Sequence, residues 1–149
     1  MFAVETRCEA AKRRSLSAPT AAADTTLALF ERDTFQHQSD LGGGNGQFSF
    51  AGDLFDRPGG MFQGTVGGTC TTLSSRSADD TVCTATLNLA GGQLAVQGKG
   101  DLSSPDVHPL TILGGTGVYA NAAGTGTVQV PQDVPSQTDA NFVLNLAGG

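Results

Sequence analysis

The stretch Leu110-Thr-Ile-Leu-Gly-Gly-Thr-Gly-Val-Tyr-Ala-Asn-Ala-Ala-Gly-Thr-Gly-Thr-Val-Gln-Val, ending at Val130, carries most of the information about the fold. It opens on a short β-branched and aliphatic run, Leu110 to Leu113, which suits a strand. Gly114, Gly115 and Gly117 then permit a tight turn with positive φ, and Gly124 and Gly126 relieve crowding in the strand that follows. A phosphate-cradling loop is a poor alternative, because no helix signal follows the glycines and no Lys or Arg lies nearby. The segment therefore reads as strand, glycine turn, strand.

Outward from it, the same grammar repeats. Thr25 to Glu31, Gln47 to Asp56, Phe62 to Leu73, Thr81 to Leu89, Leu94 to Gly100 and Ala140 to Leu146 are further strand candidates rich in Thr, Val, Phe and Leu. Between them, Asp40 to Gln47 reads as a flexible glycine loop and Arg57-Pro-Gly-Gly as a turn. Ser74 to Asp80 is a polar connection inside a β-hairpin. Seven or eight short strands with no amphipathic helix point to an all-β domain, either a sandwich or a closed up-and-down barrel. Residues 1–26, up to and including the first two threonines of that opening run, read as a flexible N-terminal tail, leaving 27–149 as a single domain.

Composition agrees and excludes other classes. The chain has 149 residues, enough for one domain with a core of its own. Its 21 glycines have no three-residue period, which excludes collagen. No apolar run approaches the roughly 18 residues of a membrane-spanning helix, so no membrane partner is expected. From Ser15 onward 4 basic residues face 12 acidic ones, a formal −8 that would repel a phosphate backbone. Nucleic acid is therefore not an expected partner. Lys12-Arg13-Arg14 precedes only a weakly apolar stretch, which is no secretory signal, so the chain is expected to be either cytoplasmic, the favoured reading, or a mature form whose signal is gone. His37 and His108 read as loop residues, and no spacing suggests a metal site.

The Leu110–Val130 segment, taken with Leu54-Phe, with Cys70 in Gly67-Gly-Thr-Cys-Thr and with Gly92-Gln-Leu-Ala-Val-Gln-Gly, resembles the allene oxide cyclase and dirigent superfamily. The resemblance runs from about Leu27 to Leu146. It implies a closed antiparallel β-barrel of about eight strands that holds an apolar ligand inside. It also implies no cofactor, and dimers or trimers formed through the barrel wall. Related small bacterial barrels close polyketide rings in natural-product biosynthesis. The implied function is thus a cyclase folding an apolar polyene or enone, with a non-catalytic dirigent-like binding protein as the alternative.

The same resemblance nominates residues. Glu31, in Phe30-Glu-Arg-Asp, looks like the interior glutamate of those cyclases, with Asp33 where they carry an asparagine. A carboxyl in an apolar barrel has a raised pKa and suits acid–base work. On the residues alone, Glu31 could equally be a solvated strand-end group pairing with Arg32. Tyr119 is a second catalytic candidate if its hydroxyl points inward. Phe48, Phe50, Phe62 and Phe142 are candidate walls for the ligand, and Phe30, Phe35 and Phe55 could join them or simply fill the core. Cys70 falls at the cyclases' pocket cysteine. Cys83 lies symmetrically across the predicted hairpin, so the two are either a cross-strand disulfide, as in secreted actinobacterial members, or two free small hydrophobes. A disulfide would imply export, with Cys8 left as a free thiol. One departure stands out: the polar anchor expected just before Leu54-Phe55 is replaced by Gly52.

Overall fold

The computed structural model describes residues 25–73, 81–100, 106–131 and 139–147. They form eight strands: β1 (Thr25–Gly42), β2 (Asn45–Phe55), β3 (Phe62–Thr72), β4 (Thr81–Leu89), β5 (Gly92–Lys99), β6 (His108–Gly115), β7 (Gly124–Gln129) and β8 (Ala140–Leu146). Each strand pairs antiparallel with the next, and β8 returns to β1, so the sheet closes into an up-and-down barrel. Closure is the expected outcome for so many short strands with no helix to cover a sheet edge. The expected tail lies almost wholly outside the described residues, as do Cys8 and the Ser74–Asp80 connection. The strand that the sequence opens at Thr25 begins there, with Thr25 and Thr26 opposite Leu146 and Asn145.

Alternation sets the inside of the barrel. In β8, Ala140, Phe142, Leu144 and Leu146 are buried while Val143 and Asn145 face outward. Leu54, Leu87, Leu94 and Leu144 from four strands are fully buried and meet near one end of the barrel. A 3-10 turn at Gly117–Tyr119 joins β6 to β7 there, and the Val118 N–H donates to the Gly91 carbonyl of the β4–β5 turn at 2.9 Å. Gly117 has φ +62°, and a Cβ on it would stand 2.3 Å from the Gly91 carbonyl oxygen. Only glycine closes that corner.

Two irregularities alter the expected pattern. β1 runs far past Glu31, and Asp40 to Gln47 is the tip of a long β1–β2 hairpin instead of a loop, with Gly42, Gly43 and Gly44 at positive φ. His37 and His108 accordingly sit on β1 and β6. Within β1 the register slips between Asp33 and Phe35. The extra residue, Thr34, donates its hydroxyl to the Ala51 carbonyl at 3.2 Å. A bulge reverses the inside–outside parity beyond it. Phe35 is thereby turned out and is 54% exposed, while Gln36 and Gln38 are turned in.

Candidate active site

The half of the barrel away from the leucine cluster is hollow. A cavity of about 400 Å³ occupies it, inside the range of small-molecule sites, roughly 300–1,000 Å³. Phe48, Phe50, Val96, Leu110, Val128 and Phe142 form its apolar wall. Gln36 and Gln38, beyond the bulge in β1, and Thr72 and Thr81, at the ends of β3 and β4, add polar groups to it, and the hydroxyls of Thr72 and Thr81 hydrogen-bond at 2.6 Å.

Among the described residues, Glu31 is the single ionisable side chain on the lining. It is 3% exposed, and among the described residues its Oε2 has no hydrogen-bond partner. Burial, reinforced by the nearby carboxylates of Asp33 and Asp139, pushes its pKa from 4.5 up to about 8. At neutral pH it is therefore mainly a carboxylic acid, able to donate one hydrogen bond and to accept another. Arg32 does not neutralise it, because alternation turns that side chain outward, where its guanidinium stands over Phe55 at 5.8 Å from the ring centre.

Space for the carboxyl comes from β2. A Cβ on Gly52 would lie 2.5 Å from Glu31 Oε2 and 2.6 Å from its Cγ. The missing polar anchor and the buried acid are thus two aspects of one arrangement, since the carboxyl occupies the volume that a side chain at position 52 would fill. Gly68 on β3 does the same for Phe50, whose Cζ would be 2.8 Å from an added Cβ.

Cys70 and Cys83 face each other across β3 and β4 and are joined by a disulfide that forms part of the lining. The remaining candidates divide. Phe48, Phe50 and Phe142 line the cavity with Glu31 and Cys70. Phe62 does not: the register shift after Leu54 turns it outward, 60% exposed, edge-on to Phe55 with ring centres 6.1 Å apart. Tyr119 is also off the lining, because its 3-10 turn caps the opposite end of the barrel and packs there against the leucine core. Asp33 is half-buried just outside the cavity. Its backbone N–H donates to Asp139 Oδ1 at 3.0 Å, and its charge helps to raise the Glu31 pKa. Sequence reading missed Gln36 and Gln38, for which the bulge leaves no local signature, and Asp139, which lies far from Glu31 along the chain.

No sequence-family profile and no curated protein matches the chain. Solved structures do. A pyocyanin demethylase is 24% identical, with TM-score 0.67, over 82% of this chain and 99% of its own. The exo-specific intermolecular Diels-Alderase AbnU is 16% identical, with TM-score 0.61, over 85% of this chain and 100% of its own. The pterocarpan synthase dirigent protein PsPTS1 is 16% identical, with TM-score 0.63, over 86% of this chain and 96% of its own. These likenesses show the fold: the chain is similar to all three as a closed antiparallel barrel of eight strands.

Proposed function

We propose that this chain is a cofactor-independent cyclase or isomerase acting on an apolar conjugated carbonyl compound, a polyene or enone, held inside the barrel. The observation that carries this reading is the orphaned, protonated carboxyl of Glu31 at the wall of an otherwise apolar cavity. Such a group donates a hydrogen bond to a substrate carbonyl oxygen and takes up part of the charge that develops there during ring closure. Phe48, Phe50 and Phe142 would hold a flexible chain folded with its reacting carbons close together, which removes much of the entropic barrier. The fold neighbours carry names of quite different reactions, so the barrel frame does not choose among them. A site of action in an oxidising compartment is supported by the Cys70–Cys83 bridge.

The test follows loss of long-wavelength absorbance from linear dienones and trienones incubated with the protein and with Glu31→Gln. The expected outcome is turnover that falls about 10²-fold or more in the variant, with binding retained. Equal turnover in both proteins would remove Glu31 from the mechanism. Binding with no turnover in either would favour the second reading, a dirigent-like protein that only orients its ligand.

A further inference from the structure

Unbroken alternation along β1 would carry Phe35 and His37 into the barrel, in line with the buried Leu29 and Glu31. The bulge at Thr34 gives the opposite result. A phenylalanine faces solvent, 54% exposed, and Gln36 and Gln38 join the cavity lining instead. On hydrophobic grounds alone that exchange is unfavourable, because it leaves an aromatic ring in water and aims polar groups at an apolar wall. Bulges commonly re-aim side chains beside binding sites. Both glutamines are also solvent-accessible, so a ligand can reach their amides.

These amides stand apart from the acid. Glu31 pairs with Leu54 on β2, Gln36 with Phe50 and Gln38 with Phe48, so four and six residues of β2 separate the acid from the two amides. At about 3.3 Å per residue, the backbone separations are roughly 13 and 20 Å. Phe48 and Phe50, with ring centres 6.2 Å apart, cover that interval. Phe48 in turn pairs with Cys70, two residues before Thr72, whose hydroxyl is bonded to that of Thr81. Uncharged donors and acceptors therefore gather around Gln38, well away from Glu31.

We infer that Gln36 and Gln38 are a second polar anchor of the cavity, for a hydroxyl or carboxamide at the far end of an elongated ligand whose carbonyl meets Glu31. A primary amide donates and accepts at once, which matches groups that do the same. The inference rests on the proposed function for the first anchor only, and it narrows the substrate to a linear apolar compound that is polar at both ends. Holding both ends also fixes the direction in which the chain lies, so that the same carbonyl always reaches the acid.

Two series of saturated methyl ketones of increasing chain length test it, one ending in a methyl group and the other in a hydroxyl, with affinity read by calorimetry. Neither series can cyclise, so binding is read without turnover. On short chains the hydroxyl is expected to weaken binding, because it is desolvated against phenylalanine with no partner in reach. At a matching length it should instead tighten binding about tenfold over the methyl-ended ketone. Gln36→Leu combined with Gln38→Leu should remove that crossover, leaving the hydroxyl ketone the weaker binder at every length. If the double variant does not fold, each single variant is expected to reduce the gain, and the unaltered protein must still show the crossover. A hydroxyl that improves affinity at no length, or a gain that survives loss of the amides, would overturn the inference and leave the proposed function standing. The expected length preference without any turnover of dienones would keep the second anchor and remove the cyclase. If neither series binds, both readings fall.

Discussion

At one end of the barrel Leu54, Leu87, Leu94 and Leu144 fill the interior completely, and at the other the same strands enclose about 400 Å³ of space around a buried acid. The strands are continuous between the two ends, so backbone geometry does not distinguish them. Side-chain volume does. β2 contributes Leu54 to the packed end and Gly52 beside Glu31, while β3 contributes Val66 below and Gly68 beside Phe50. The packed end holds the barrel together, and the hollow end uses that stability to keep an unsatisfied polar group out of water.

The strongest way to break this division is through pH. The unfolded chain releases the Glu31 proton near pH 4.5, while the native state holds it to about pH 8. Stability from this group is therefore complete below pH 4.5 and declines as pH rises to about 8. The slope reaches about 1.4 kcal/mol per pH unit, with a ceiling of about 5 kcal/mol in all. Denaturant unfolding of Glu31→Gln should lack that decline, so the variant gains on the parent protein between pH 6 and 8. Parallel curves for the two would mean that the acid is not held in its protonated form.

A smaller effect compares the two ends directly with one chemistry. Leu87→Ala, in the packed end, is expected to cost about 3 kcal/mol, and Leu110→Ala, which borders the cavity, about half of that. Leu110 already lacks packing partners on one side, so its removal enlarges an existing hollow. Equal losses in denaturant titration would show that the hollow end is as tightly packed as the other.

The smallest effect sharpens the boundary between them. Gly52→Ala should displace the Glu31 carboxyl, because the added methyl overlaps Oε2 and Cγ. It is expected to cost about 1–2 kcal/mol in stability and to lower enone turnover more than enone binding. Retained turnover would show that the position of the carboxyl is not fixed from β2.

The fold was largely legible because alternation and glycine turns are local signals. Strands such as Ala140–Leu146 show their inner face in four consecutive alternate residues. The acid was legible only through resemblance, since Phe30-Glu-Arg-Asp alone fits a solvated strand end equally well. Register shifts were not legible at all. Thr34 reverses the face of everything beyond it in β1, which brings Gln36 and Gln38 inside and turns Phe35 out, and a second shift after Leu54 expels Phe62. Those outcomes depend on pairing with a neighbouring strand, which no single run of residues encodes. The meaning of Gly52 was hidden for the same reason: it is defined by a side chain 21 positions earlier.

The join between β3 and β4 has a further consequence for how this molecule can change. The Cys70–Cys83 bridge and the Thr72–Thr81 hydroxyl pair fasten both strands next to the connection between them. Register on either side is thus anchored independently of what lies between. Lengthening that connection costs only about 0.6 kcal/mol for each doubling. Segments could be inserted or exchanged there without moving the cavity wall, making this junction the natural place on the barrel to graft new recognition elements.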